Sequence, residues 1–173
     1  APKLGKISGH KIGCTTAVMQ RFLNIPNPCA GGVFATTVHQ SGVSISHSEF
    51  VRPGVECEIV VFLQKDLPAI DRPYTQENVT AAVGAIAAGI EIVDDRYVDY
   101  KTLDTPTLIA DDFFDAGCVI GTPMRNWRAI DIPVEAMESE AGVALFERLG
   151  APMPEPLAKR VKIVRTRAVL QCR

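Results

Sequence analysis

Apolar residues fall in short runs whose character changes along the chain. Val55 to Leu63 (V-E-C-E-I-V-V-F-L) is the strongest strand signal, rich in β-branched and aromatic residues. Gly9 to Thr15 (G-H-K-I-G-C-T) reads as a short strand with glycine at both ends of its core, and Thr16 to Leu23 has helical periodicity. Asn24 to Gly32 is rich in Pro, Gly and Asn and predicts a loop. Val33 to Val38 and Gly42 to Ile45 predict short strands or a hairpin, and Lys65 to Pro73 another loop. Thr75 is a suitable helix N-cap with Glu77 in the first turn, and Ala81 to Ala88 predicts a continuing helix that Gly89 ends. Ile90 to Val93 predicts a second buried strand, and Val119-Ile120 part of a third.

The last third differs in pattern. Pro133 to Leu149 predicts an amphipathic helix stopped by Gly150, followed by the Pro-rich link A-P-M-P-E-P at 151–156. Lys159 to Arg173 carries six basic residues and no acidic one. Its alternation predicts an exposed or edge strand whose charges form a solvated face rather than an anion-binding tail.

At 173 residues, 47% hydrophobic and 22% charged, the chain has the composition of an ordinary globular protein with one domain's worth of core. A formal net charge of −2 gives no reason to expect nucleic acid or an anionic membrane as partner. The five cysteines (Cys14, Cys29, Cys57, Cys118, Cys172) are odd in number and scattered, which fits reduced thiols in the cytoplasm better than a disulfide framework. His10, His39 and His47 lack the spacing of zinc ligands. Ala1-Pro2-Lys3 leads into the chain without a signal-peptide pattern, and the longest apolar stretch, Val79 to Val93, is interrupted by Glu91 and too short to span a bilayer.

The candidate chemistry starts at Glu56-Cys57-Glu58. In a strand, residues two apart share a face, so two carboxylates stand side by side before an apolar run. Their repulsion is relieved by a cation, and oxygen ligands favour Mg²⁺, Mn²⁺ or Ca²⁺. A strand end with two solvated glutamates would show the same motif. Glu91, flanked by Ile90 and Ile92, is expected to be buried, and a buried carboxylate needs a partner or a metal. Asp94 or Asp95 is expected to pair with Arg96. Lys11 either snorkels to the surface or points into a site, where it could bind a substrate carboxylate or shuttle a proton.

These residues sit in a series of blocks: G-H-K-I-G-C-T (9–15), P-C-A-G-G-V-F (28–34), P-G-V-E-C-E-I (53–59), I-E-I-V-D-D-R (90–96), I-A-D-D (109–112) and G-T-P-M-R-N-W-R-A-I-D (121–131). In order and spacing they resemble the 2-keto-4-pentenoate hydratase family of the fumarylacetoacetate hydrolase superfamily, from about Leu4 to Ile132. The resemblance implies an α+β fold, the mixed β-rich roll of the fumarylacetoacetate hydrolase C-terminal-domain type. It places Glu56, Glu58 and Glu91 on the family's metal ligands and Lys11 on its active-site lysine. It implies Mg²⁺ or Mn²⁺, a small 2-oxo acid substrate and a homo-oligomer. The metal would chelate the substrate's carboxylate and 2-oxo oxygen and stabilise an enolate. Water addition would convert 2-hydroxypenta-2,4-dienoate to 4-hydroxy-2-oxopentanoate in aromatic-compound breakdown.

Departures from the family accompany the match. Cys29 stands where the hydratases commonly carry an acid, a candidate proton-transfer group, and Asp112 stands where they carry Asn. The resemblance stops after Ile132, so residues 1–132 read as a partial catalytic domain. Residues 133–173 read as an unmatched helix and basic tail, as a truncated or frame-shifted product or a fragment would have. That segment is expected to pack less completely on the core. The alternatives are 4-oxalocrotonate decarboxylation or acylpyruvate hydrolysis on the same fold, and a truncated, non-catalytic interaction subunit.

Overall fold

The chain is organised around a long antiparallel pair. In a computed structural model, which describes residues 4–15, 17–130 and 167–171, strand β4 (Pro53–Leu63) runs beside β5 (Val83–Asp94) from Pro53 opposite Asp94 to Leu63 opposite Val83. The predicted strand at 55–63 is present. The predicted helix over Ala81–Ala88 is not: the helix, α2, covers Gln76–Ala82, capped by Thr75, whose side chain accepts from the Asn78 N–H. Gly84 to Gly89 lie within β5. This run is buried on both faces, so it shows no period-2 alternation. Its small residues answer large ones opposite, Ala88 facing Ile59, Ala87 facing Val60 and Ala85 facing Phe62. Size complementarity across the pair, not helix propensity, decides the structure here.

Five further strands complete a mixed sheet among the described residues: β1 (Ile7–Gly13), β2 (Cys29–Phe34), β3 (Val38–Gln40), β6 (Asp115–Ile120) and β7 (Arg167–Gln171), in the order β2-β1-β7-β4-β5-β6-β3. The predicted loop at 24–32 therefore ends early, because Cys29–Gly32 pair with β1, and no strand forms at Gly42–Ile45. β7 corrects the expectation of an edge strand. It pairs antiparallel with β1 and parallel with β4, so its backbone is hydrogen-bonded on both sides. The predicted helix at 133–149, the link at 151–156 and the packing of the remainder of 133–173 lie outside the described residues.

Two short helices flank the strands, α1 (Ala17–Leu23) and α3 (Thr105–Ala110), the second capped by Asp104 through the Thr107 N–H. No described helix is long and apolar enough to cross a membrane. The core lies on both sheet faces. One cluster joins Cys57, Ile59, Ile86 and Ala88. Another joins Val60, Ala87, Cys118 and Ile120 with Val33, and it continues the face that carries Glu56 and Glu58. A third, of Cys14, Ile25, Leu108 and Phe113, also packs Leu23, Cys29 and Phe114.

Candidate metal centre

Strand register assembles the carboxylates. Glu56 and Glu58 share one face of β4, and Glu91 lies directly opposite Glu56 on β5. Opposite Glu58 stands Gly89, where a side chain has no room: a Cβ there would lie 2.6 Å from Val60 Cγ2 and 3.4 Å from Glu58 Cβ. Carboxylate oxygens of Glu56, Glu58 and Glu91 all lie within 4.8 Å of one another. Glu58 and Glu91 are 1% and 2% exposed, and Glu56 is half-buried. The E-x-E motif thus forms part of a buried cluster rather than a solvated strand end. Three acids offering only oxygen suit a hard divalent cation.

Lys11 points inward. It is 2% exposed, and its ammonium donates to Glu91 Oε1 and, at 3.0 Å, to the Asp112 carbonyl. Asp115 Oδ1 stands 3.9 Å from the same nitrogen. Burial pushes the Asp115 carboxyl up to about 6 against the pull of Lys11. The Asp112 carboxyl is likewise raised, by burial first, with Lys11 opposing. Sequence reasoning missed Asp115; its one signal is an acid at the start of the apolar run D-A-G-C-V-I.

Asp112 is delivered by an unusual turn. Asp112, Phe113 and Phe114 take φ of 55°, 53° and 67°, three successive left-handed residues without a glycine, at about 1–2 kcal/mol each. Hydrogen bonds over-determine the turn: Phe113 N donates to the Leu108 carbonyl at 2.9 Å, Phe114 N to Asp111 Oδ2 at 3.0 Å, and Asp94 N to the Phe114 carbonyl at 2.9 Å. The carboxylate of Asp112 lies over Gly31, where a Cβ would stand 1.5 Å from Oδ1, and Gly31 pairs with Lys11. Such strain is characteristic of functional sites.

Cys29 lies elsewhere on that sheet edge. It pairs with Gly13, and its half-buried side chain packs on the Cys14–Ile25–Leu108–Phe113 cluster, with the thiol 3.9 Å from the Asn27 carbonyl. Burial, with the acids nearby, pushes the Cys118 thiol up to about 12 and also raises Cys57, keeping both neutral. The expected pairing of Arg96 with Asp94 or Asp95 is replaced. Arg96 bonds Asp111 at 3.0 Å, Arg52 bonds Asp95 at 3.1 Å, and Asp94 accepts the backbone N–H groups of Val51 and Arg52. The reach of Arg96 toward the α3–β6 turn, set by the tertiary fold, decides this.

Fold and acids together define a sheet-built protein with a three-carboxylate cluster that could hold a cation and a buried lysine beside it. Comparison with known proteins adds the family likeness. The chain is 31% identical over 134 residues to the 2-keto-4-pentenoate hydratase of Burkholderia vietnamiensis, covering 76% of this chain and 49% of that protein. It is 32% identical over 137 residues to the 2-hydroxyhexa-2,4-dienoate hydratase of Comamonas testosteroni, covering 77% and 50%. The chain therefore resembles the 2-keto-4-pentenoate hydratases in sequence, and spans about half the length of the curated relatives it matches. No family model matches it. It shares the fold of 4-oxalocrotonate decarboxylase from Pseudomonas putida G7, a structure complexed with magnesium and adipate, at a TM-score of 0.61 and 17% identity, over 96% of this chain and 66% of that one.

Proposed function

We propose that the chain carries the catalytic site of a metal-dependent hydratase. It would add water to 2-hydroxypenta-2,4-dienoate, the enol of 2-oxopent-4-enoate, to give 4-hydroxy-2-oxopentanoate in the breakdown of aromatic compounds. The observation that carries this is the clustering of Glu56, Glu58 and Glu91 beside buried Lys11, in a chain similar in sequence to hydratases. Glu56, Glu58 and Glu91 would hold Mg²⁺ or Mn²⁺, which when bound would supply Lewis-acid stabilisation of negative charge on the substrate's oxygens. Lys11 binds the substrate carboxylate or moves a proton at its ammonium, oriented by Glu91 and the Asp112 carbonyl. Asp115, raised to about 6, holds a proton that it can release near neutrality. Asp112 positions Lys11 through its carbonyl. Cys29, in place of the family's acid, is the proton-transfer candidate on β2, and Cys29→Ser tests it. We assign the fold as the fumarylacetoacetate hydrolase roll, and the working form as a cytoplasmic homo-oligomer.

The test is turnover of 2-hydroxypenta-2,4-dienoate, followed by loss of dienol absorbance, with Mg²⁺, with Mn²⁺ and after chelation. An oxalocrotonate and an acylpyruvate serve as competing substrates. Metal-dependent consumption of the dienoate supports the proposal; preferred turnover of either competitor, or rates indifferent to metal, overturns it.

A further inference from the structure

Glu56 is the most exposed of the three clustered glutamates, and it lines a half-open pocket of about 250 Å³. The pocket lies on the metal-site face of the sheet, because Gly54 and Glu56 share a face and Gly54 pairs with Val93, both of which line it. The remaining walls are Leu23, Pro53, Tyr100, Phe113 and Phe114, with Asp95 and Arg52 as their charged members. Phe114 is held edge-on by Tyr97 and Tyr100, with ring centroids 5.9 and 6.1 Å away. Its backbone is fixed in the left-handed turn by Asp94 N and Asp111 Oδ2. The wall is therefore stiff. The cation on the lining, Arg52, is half-exposed and already paired with Asp95 at 3.1 Å.

We propose that this pocket receives the part of the substrate beyond its 2-oxo acid head, that it selects an uncharged apolar tail, and that Phe114 sets the tail length. The inference rests on the 2-oxo acid reading of the metal site and deepens it. A dry cavity of about 150 Å³ accommodates benzene, so this pocket has room for a short alkyl chain or one ring. A terminal carboxylate would lose water against aromatic faces and meet the carboxylates of Glu56 and Asp95, with Arg52 already engaged by Asp95. The site therefore prefers a monocarboxylic 2-oxo acid to a dicarboxylic one. Phe114 is a specificity-determining residue that touches the tail and takes no part in the chemistry.

The experiment is calorimetric binding to the full chain in excess Mg²⁺, using saturated probes that cannot react. These are 2-oxobutanoate, 2-oxopentanoate and 2-oxohexanoate, with 2-oxoglutarate and 2-oxoadipate as charged counterparts. Affinity is expected to rise about fourfold per methylene, as for burial of one CH₂, and each dicarboxylate to bind at least tenfold more weakly than its length-matched partner. Phe114→Ala steepens this rise with tail length, and Phe114→Trp flattens or reverses it. Affinities that ignore both tail and residue 114, or dicarboxylates that bind more tightly, overturn the inference while leaving the metal site standing. Should no 2-oxo acid bind, the 2-oxo acid reading falls and this inference with it. The wild-type series decides the charge preference even if a residue-114 variant does not fold.

Discussion

Glu56 and Glu91 stand directly opposite each other across β4 and β5, in a register that runs through both strands. Like charges in that relation repel, and Glu58 adds a third carboxylate within 4.8 Å. A bound cation turns this repulsion into coordination. Addition of Mg²⁺ or Mn²⁺ is therefore expected to raise the melting temperature, and the rise should vanish in Glu91→Gln. Calorimetric metal affinity in that variant should drop by more than the roughly 10–100-fold that loss of an outer-shell partner costs. An unchanged thermal response to metal in Glu91→Gln would remove Glu91 from the site.

Lys11 pairs with Glu91, and a bound cation would share the task of balancing that carboxylate. Lys11→Met should destabilise the metal-free protein by about 3–5 kcal/mol, the usual cost of removing one member of a buried ion pair. Metal should recover part of that loss, so its stabilising effect is larger in the variant than in the wild type. Denaturant unfolding with and without Mg²⁺ measures both. If the variant unfolds at the wild-type denaturant concentration, the Lys11–Glu91 contact contributes nothing.

Two glycines make room for acids in different ways. At Gly89 an added methyl meets Val60 on the facing strand, 2.6 Å away, so Gly89→Ala should cost about 1–2 kcal/mol of stability and disturb Glu58. At Gly31 the obstacle is the Asp112 carboxylate itself, the end of a side chain that can turn aside. Gly31→Ala should leave the melting temperature within a few degrees while lowering activity. Equal losses of stability in the two variants would contradict this assignment.

Asp115 makes stability pH-dependent. Its folded carboxyl is raised from 3.8 to about 6, so between these values the folded state binds more protons than the unfolded one. Stability contributed by this group is present below pH 4 and is lost as pH rises through 6. The loss is on the order of 3 kcal/mol, at about 1.4 kcal/mol per pKa unit. Metal-free wild type should thus lose stability relative to Asp115→Asn across pH 4–7. Parallel stability curves for the two proteins would show that Asp115 titrates normally.

Thiol chemistry should follow burial. Cys118 and Cys57 have raised pKa values and are 4% and 7% exposed, whereas Cys29 is half-buried on an edge strand. Alkylation of the native protein, mapped by mass spectrometry, should modify Cys29 well before Cys57 or Cys118. Early labelling of Cys118 would mean that the β5–β6 region opens readily.

The parts of the site legible in the sequence were those carried by local rules. Glu56 and Glu58 share a face because strands repeat every two residues, and Glu91 announces itself as an acid between isoleucines. That Glu91 lies opposite Glu56 depends on the register between the two strands, which no local pattern encodes. Ala81–Ala88 misleads because small residues buried on both faces carry no period; what makes them a strand is the bulk of Ile59, Val60 and Phe62 across the pair. Asp115 stayed hidden for another reason. It comes within 3.9 Å of Lys11 directly after a turn in which Asp112, Phe113 and Phe114 adopt left-handed backbone conformations that sequence propensities disfavour.

The position of β7 bears on how the protein is made. Lys11 lies on β1 and two of the clustered glutamates on β4, and among the described residues the strand that joins them in the hydrogen-bonded order of the sheet is β7, residues 167–171. A ribosome emits Lys11 and all three glutamates long before it emits that strand. The emerging chain can form the β1–β2 and β4–β5 hairpins early, from strands consecutive in sequence, but the lysine strand is not joined to β4 until 167–171 arrive. Until then the facing edges of β1 and β4 offer open backbone to any neighbouring nascent chain, so synthesis at high polysome density is the moment of greatest exposure to misassembly.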